Sequence, residues 1–214
     1  MIDVTHQVNA VARKVTDRMF EAGEARSVII AQTYATTVED LWDACTTADR
    51  IARWLTPVTG DLELGGHYQL EGNAGGEITA CDPPNSFAAT WGFGDQMSWI
   101  EVRITPDGDG ARLELEHIAR IEDHWTEFGP GAVGIGWDLG FLGLFLYLGG
   151  NGESPDYAEM QAWTGSAEGL RYMTETGTAW GQADLASGTD PEDAKARADR
   201  TIAAYTTPPE EPEG

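Results

Sequence analysis

The sequence predicts an α+β fold in which a curved antiparallel sheet wraps around a long C-terminal helix. Three observations predict it: helix signals near residue 40, a run of short alternating segments from Val58 to Ile121, and a glycine-rich apolar stretch from Gly131 to Leu148. A sheet that is apolar on one face must be covered on that face. The stretch from Gly131 to Leu148 is long and apolar enough to be that cover, so we expect it to lie as a helix against the sheet.

The N-terminal part of the sequence combines extended segments with two short helices. Residues 13–20 and 26–35 are rich in strand-forming side chains and have a turn between them, which predicts a hairpin. Residues 37–40 (TVED) carry a capping-box signal that starts a helix. A second helix is predicted from about Ala48 to Trp54, and Pro57 ends it.

The last two predicted strands show which face of the sheet is buried. In residues 98–104 (SWIEVRI) and 111–121 (ARLELEHIARI), apolar residues occupy alternate positions. Because successive side chains of a strand point to opposite faces, one face is apolar and carries a single histidine, His117, while the other is mostly charged. This pattern predicts a sheet that is packed on one side only.

The chain beyond the long apolar stretch is predicted to be helical. Ser154-Pro155 and Asp190-Pro191 each place a capping residue before a proline, which predicts two helix starts. We therefore divide the chain into a domain over residues 1–150, with the hairpin as an N-terminal extension, and a helical appendage over 151–205. The appendage is expected to pack on the domain or on a dimer mate, and residues 206–214 are expected to be a disordered acidic tail.

Charge and cysteine content limit the partners and the compartment. The formal net charge is −23. Nucleic acids and anionic membrane surfaces attract basic proteins, so we expect neither as a partner. Cys45 and Cys81 lack the spacing of a metal site and are expected to be free thiols in a reducing cytoplasm. The first twenty residues contain no apolar leader, which also favours the cytoplasm.

One stretch has the length of a membrane span. Residues 132–150 are apolar and about long enough to cross a bilayer. Asp138 lies near the middle of this stretch, where a charge is costly in hydrocarbon, and no Lys or Arg flanks it. We therefore expect this stretch to be a helix buried in a protein core.

Short motifs along the chain resemble a known family. They lie around the predicted helices and strands, at residues 33–36, 41–44, 51–54, 65–68, 76–78, 82–84, 89–91 and 110–117. Together, the stretch from Thr33 to Gly140 resembles the bacterial SRPBCC proteins classed as similar to the activator of heat-shock-protein-90 ATPase, within the START-like (helix-grip) superfamily. The resemblance implies the helix-grip fold. Superfamily members mostly bind small hydrophobic molecules between sheet and helix, and some are cyclases or hydrolases.

Seven residues are candidates for lining such a cavity: Trp42, Trp54, Tyr68, Trp91, His117, Trp137 and Phe141. Trp137 and Phe141 are four residues apart on the covering helix and so share one side of it. His117 would be the polar group that orients a ligand in an otherwise apolar pocket. The alternative is that these side chains simply pack the core.

Chemistry beyond binding depends on the same histidine. His117 could act as a general base, with Glu77 as its partner if Glu77 faces inward. A small group of metal-ligand residue types has no zinc-like spacing: His117, Asp123, His124 and Glu127. Residues 129–134 (GPGAVG) match GxGxxG but follow an antiparallel meander instead of a strand in a βαβ unit. We therefore predict neither a metal nor a cofactor.

Three functions remain open from the sequence. The leading hypothesis is non-catalytic binding of a small hydrophobic or amphipathic molecule between the sheet and the long helix. The second is a co-chaperone-like or stress-associated interaction module that uses the C-terminal helices with Trp163 and Trp180. The third is a cyclase-type or hydrolase-type enzyme that uses His117. The C-terminal helices could instead form a homodimer, because their apolar side must be buried somewhere.

Overall fold

Sixteen helices and strands make up the computed structural model of the protein, which describes residues 2–20, 23–150 and 157–207. In chain order they are α1 (Val4–Ala10), β1 (Ala12–Phe20), β2 (Gly23–Tyr34), α2 (Val38–Thr46), α3 (Ala48–Trp54), β3 (Val58–Gly60), β4 (His67–Leu70), β5 (Gly75–Asp82), β6 (Ser86–Phe93), β7 (Gln96–Asp107), β8 (Gly110–Arg120), α4 (Asp123–Phe128), α5 (Gly131–Gly149), α6 (Tyr157–Thr164), α7 (Ala167–Ala186) and α8 (Pro191–Thr206).

The strands form one curved antiparallel sheet in the order β1-β2-β8-β7-β6-β5-β4-β3. Helix α5 packs against β2 and α3, and α7 packs against α5 and β1. The predicted α+β helix-grip fold is therefore confirmed, and the glycine-rich stretch is a helix held by the sheet. The C-terminal helices α7 and α8 pack on the rest of their own chain.

Local capping signals define several helix starts. The Thr37 hydroxyl accepts a hydrogen bond from the backbone N–H of Asp40 at 3.2 Å, and the Asp190 carboxylate accepts from the backbone N–H of Glu192 at 2.9 Å. Both starts agree with the sequence patterns. The start predicted at Ser154-Pro155 lies outside the described residues, as does most of the predicted tail, and α8 continues to Thr206.

Three features of the helices differ from the sequence pattern. Helix α1 was not predicted, and Asp3 caps it by accepting from the backbone N–H of His6 at 2.9 Å. Helix α4 was not predicted either. A break separates α6 from α7, where Ser166 caps α7 by accepting from the Gly169 N–H. A β-carbon built on Gly169 would lie 2.1 Å from the carbonyl oxygen of Trp163, so the chain turns tightly at this point.

The inner face of the sheet is apolar as predicted, and the outer face is partly covered as well. The predicted inner residues that are buried include Ile100, Val102, Ile104, Leu113 and Leu115. Ile118 points to the opposite face and is also fully buried, which differs from the expectation of one-sided packing. Its neighbours across the two adjacent strands are Ser27 and Trp99, and the Arg120 guanidinium stacks 5.4 Å from the Trp99 ring centre.

Two glycines explain how α5 packs so closely against other helices. A β-carbon built on Gly143 would lie 2.3 Å from the carbonyl oxygen of Trp54 in α3. A β-carbon built on Gly134 would lie 2.4 Å from the Trp180 ring in α7. Glycine lowers helix propensity, but at these positions any side chain would push α3 or α7 away from α5.

The charge in the middle of α5 is buried and paired. The carboxylate of Asp138 accepts two hydrogen bonds from Arg13 in β1, at 2.6 and 3.1 Å. It also accepts one from the indole N–H of Trp180 at 2.8 Å, and the Tyr172 hydroxyl donates to the Asp138 backbone carbonyl. Burial raises the pKa of Asp138, and the Arg13 guanidinium and the Trp180 N–H oppose that shift.

Of the helices that the structure describes, α5 is the one long and apolar enough to cross a membrane, with a mean hydropathy of 1.5. In the fold, 61% of that apolar window is buried inside the protein. Its burial and the paired carboxylate of Asp138 fit the prediction of a core helix.

Replacing Asp138 with leucine should destabilise the protein strongly. The Asp138→Leu change leaves the Arg13 guanidinium buried without a counter-charge, and breaking a buried pair in this way costs about 3–5 kcal/mol. Urea unfolding measures the loss.

Two further variants serve as controls. The double variant Arg13→Met/Asp138→Leu removes both charges and should recover most of the lost free energy of unfolding. Lys195→Ala, which breaks an exposed ion pair, should cost less than about 1 kcal/mol. A cost below about 1 kcal/mol for Asp138→Leu would contradict the assignment.

The close approach of α5 and α7 predicts opposite effects for two glycine substitutions. Gly134→Ala places a methyl group against the buried Trp180 ring and should cost about 1–3 kcal/mol through overpacking. Gly136→Ala is the matched control, because the nearest atom to its new β-carbon is the Tyr205 hydroxyl at 3.4 Å. That change should be neutral or stabilise the helix by up to about 1 kcal/mol. Equal free energies of unfolding for the two variants would count against the packing described.

Candidate functional site

A cavity of about 590 Å³ lies between the inner face of the sheet and helices α2, α3 and α5. Six of the seven predicted residues line it: Trp42, Trp54, Tyr68, Trp91, Trp137 and Phe141. The sheet adds aliphatic side chains from β7 and β8, including Val102 and Leu113. Exposed lining residues, Glu63, Leu64 and Pro83, lie at its rim. The structure therefore brings the predicted aromatic side chains together around one apolar space.

The seventh predicted residue, His117, lies outside this cavity. It is 2% exposed and lines a second cavity of about 410 Å³. Trp91 and Trp137 line both cavities, with ring centres 5.0 Å apart, and Leu55 also borders both. These three side chains form a wall between the two spaces, which we call the tryptophan wall. His117 is therefore on the far side of the wall from the first cavity, a difference from the predicted site.

His117 holds the tryptophan wall in place. Its Nδ1 atom accepts a hydrogen bond from the indole N–H of Trp137 at 3.1 Å. Burial lowers the pKa of His117 to about 4, so the ring is neutral near pH 7. A protonated imidazole carries hydrogen on both nitrogens and could not accept this bond.

The polar groups of the first cavity are bonded within the protein. The Tyr68 hydroxyl donates to the backbone carbonyl of Thr90 at 2.7 Å, and the indole N–H of Trp54 donates to that of Ala44 at 2.9 Å. Burial raises the pKa of Tyr68 and raises the pKa of the Cys45 thiol to about 12. The wall of this cavity is therefore neutral, apart from Glu63 at the rim.

The pairing of His117 with Glu77 for acid–base chemistry is wrong. Glu77 is exposed, and its backbone N–H bonds the Thr90 hydroxyl. Within the described residues, no group of three or more His, Cys, Asp or Glu side chains could hold a metal ion. The site thus offers shape and apolar surface, with no acid–base pair built around His117.

Several cavity residues were missed by sequence reasoning. Phe87 and Ala89 lie on the same face of β6 as Trp91, and Phe87 makes an edge contact with Trp42 at 6.1 Å between ring centres. The two-residue period of the strand would have found both. Cys45 and Cys81 also line the cavity as free thiols. Simple alternation from Ile78 would turn Cys81 outwards, but a register shift between Ile78 and Ala80 in β5 places both Ile78 and Cys81 in the lining.

The sheet, the gripped helix and the cavity between them define a helix-grip protein. A family model described as "Activator of Hsp90 ATPase homolog 1-like protein" matches residues 35–139. The crystal structure of CalU16 from Micromonospora echinospora is similar, with 35% identity, a TM-score of 0.65, and coverage of 81% of this chain and 98% of CalU16. On these grounds the chain belongs to the family of Aha1-like SRPBCC proteins.

Two further structures agree with this fold. The solution NMR structure of CalU16 has 35% identity and a TM-score of 0.70, and the match covers 83% of this chain and 97% of CalU16. Protein MLL2253 from Mesorhizobium loti has 22% identity and a TM-score of 0.50, over 56% of this chain and 93% of that one, and shows the fold alone. No curated protein sequence matches the chain.

The buried histidine predicts a pH-dependent stability. Because the pKa of His117 falls from its ordinary value of 6.5 to about 4 on folding, the unfolded chain binds more protons between these pH values. Stability from this group is therefore fully present above pH 6.5 and is lost as the pH falls towards 4, by up to about 3 kcal/mol.

His117→Gln isolates that contribution, because glutamine can accept from Trp137 but does not titrate. Urea unfolding of both proteins at several pH values in this window cancels the carboxylates that titrate in both. The stability advantage of the parent protein should shrink as the pH falls. A difference that stays constant across the window would contradict the buried neutral ring.

Proposed function

We propose that the protein binds a small hydrophobic or amphipathic molecule in the first cavity and does not convert it. The observation that carries this proposal is an apolar space of about 590 Å³ whose aromatic walls have their own polar atoms bonded to the backbone. Ligand pockets in proteins occupy about 300–1,000 Å³ and are mostly apolar. A core that was simply packed would leave few voids larger than a water molecule.

The rim supports an amphipathic ligand. Leu64 lines the cavity although 64% of its surface is exposed, and the neighbouring Glu63 is exposed as well. An apolar tail in the cavity would leave a polar group at this rim, in contact with water. The two free thiols, Cys45 and Cys81, fit a reducing compartment, so we also propose a cytoplasmic location.

Binding is favoured over catalysis by the position of the histidine. His117 is separated from the first cavity by the tryptophan wall, and its Nδ1 atom is already engaged by Trp137. The carboxylate considered as its partner, Glu77, is exposed. A base in this arrangement has no direct access to a ligand in the first cavity.

The interaction-module hypothesis receives less support from the C-terminal helices. Trp180 is fully buried and donates to Asp138, and Trp163 donates to Glu168 at 2.7 Å. Neither indole N–H is therefore available to a partner protein. Homodimer formation through these helices stays a prediction that light scattering can test.

Filling the first cavity should abolish binding. Ala89 is buried in β6 and lines this cavity, so Ala89→Phe places a ring where a ligand would lie. We expect the apolar dye phenylnaphthylamine to gain fluorescence with the parent protein and to bind about ten-fold more weakly, or worse, to this variant.

Ala88→Phe is the matched control, because Ala88 is the next residue of the same strand and points to the opposite face. Its dye affinity should equal that of the parent protein. The proposal fails if the parent protein binds no dye and native mass spectrometry of the purified protein finds no ligand. It also fails if both phenylalanine variants bind the dye as the parent does.

A further inference from the structure

The second cavity is closed on one side by a helix that the family match does not include. Its wall contains Trp125 from α4, Gly136 from α5 and Tyr205 from α8. Tyr205 lies beyond residues 35–139, the range of the family match. The tryptophan wall separates this space from the first cavity. Helix α8 therefore closes one side of a space whose other lining residues belong to the helix-grip domain.

Helix α8 is firmly attached at this end. The Tyr205 hydroxyl donates to the backbone carbonyl of Ala132 at 2.9 Å, and the Thr201 hydroxyl donates to that of Phe128 at 2.7 Å. The guanidinium of Arg200 donates to the backbone carbonyl of Glu127 at 2.7 Å. These contacts join α8 to α4 and to the first turn of α5, so the Tyr205 side of the cavity is a fixed wall.

Aromatic and sulfur-containing side chains surround this space. Trp91 and Trp137 form one side, and Phe93 and Met97 from the β6–β7 hairpin form another. Phe93 is 57% exposed and Met97 is 46% exposed, although both line the cavity. Exposed apolar side chains at the rim of a cavity mark a site that an apolar molecule can cover. Flat aromatic rings and thioethers pack well against another aromatic ring.

One polar group gives this cavity a directional preference. Because Nδ1 of His117 accepts from Trp137, the hydrogen bond assigns the ring proton to Nε2. The hydrogen bonds of the described residues include none from that N–H, and no fully buried side-chain polar atom there lacks a partner, so Nε2 borders open space. His117 lines the second cavity, so the donor can serve an acceptor atom of a ligand there. Arg120 and Glu122, the charged residues that line this cavity, form an ion pair at 4.0 Å, so the edge favours neither sign of charge and suits a neutral acceptor such as a carbonyl oxygen.

We propose that the second cavity is a separate binding site for a compact, neutral aromatic molecule that carries a carbonyl or similar acceptor, which the N–H of His117 binds. This site does not require the first cavity to be occupied. It also gives the C-terminal helices a role, because Tyr205 supplies one of its walls.

The test uses the dye Prodan, a neutral naphthalene with a carbonyl group whose emission reports desolvation. The starting protein is Ala89→Phe, in which the first cavity is filled. We expect it to bind one equivalent of Prodan. Adding Gly136→Leu should weaken that binding about ten-fold or more, because Gly136 lines the second cavity and a leucine there would occupy ligand space beside Tyr205. Adding Gly149→Ala should leave it unchanged and serves as the control for changes in α5, because Gly149 lies at the other end of that helix and nothing lies within 4 Å of its new β-carbon.

A second variant that fills the cavity keeps the test possible if Gly136→Leu does not fold. Ala119 in β8 lines the second cavity from the sheet side, so Ala119→Phe should also remove Prodan binding. A dimethylaminonaphthalene without the carbonyl should bind about ten-fold more weakly, because it leaves the His117 donor unpaired.

The proposal is overturned if Ala89→Phe binds no Prodan, or if the filling variants bind it as tightly as their controls. The first-cavity proposal is tested separately, by phenylnaphthylamine binding to the parent protein and to the Ala88→Phe control. A parent protein that binds one equivalent, all of which Ala89→Phe removes, would support the first site and overturn the second.

Discussion

The buried carboxylate of Asp138 is the constraint on which the rest of the architecture depends. A charge in the middle of an apolar helix must be paired, because an isolated buried ion is very costly. Arg13 reaches it from β1 and Trp180 from α7, so one side chain ties the sheet edge, the gripped helix and the C-terminal helices together. The same contacts fix the rotation of α5 about its axis, which turns Trp137 and Phe141 towards the first cavity. The Arg13–Asp138 pair therefore contributes more to selecting one orientation of α5 than to the net free energy of folding.

The glycines of α5 solve a second problem, which is how one helix can contact neighbours on all sides. Gly143 meets the backbone of Trp54 and Gly134 meets the ring of Trp180, so α3 and α7 approach α5 on bare backbone. Larger residues then occupy the positions between them. Close contact at these glycines and open space beside Trp137 and Gly136 occur on the same helix. The cavities therefore result from the placement of small residues as much as from the curvature of the sheet.

The sequence predicted the inner face of the sheet and six of the seven aromatic side chains that line the first cavity. It failed where a position depends on how far one element is shifted along another. Alternation places Trp91 and His117 on the inner face correctly. Alternation does not show that Trp137 lies between His117 and the first cavity, because the position of Trp137 depends on where α5 sits along the sheet. Glu77 was considered on the condition that it faces inward, and the structure does not meet this condition because Glu77 is exposed. The break before α7 does have a local signal that the sequence analysis overlooked, because Ser166 caps the new helix, while the close contact of Gly169 with the Trp163 carbonyl depends on the fold.

The shared wall has a consequence for any ligand of either cavity. Trp91 and Trp137 face both spaces, and the hydrogen bond to His117 holds Trp137 from the second side. A molecule that displaces the Trp137 ring from the first cavity must also change the wall of the second and disturb the bond to His117. Coupling between two sites is reciprocal, so a molecule in the second cavity would bias the first by the same free energy. The hydrogen bond that holds Trp137 in the wall requires a neutral His117, because only an unprotonated Nδ1 can accept from the indole N–H.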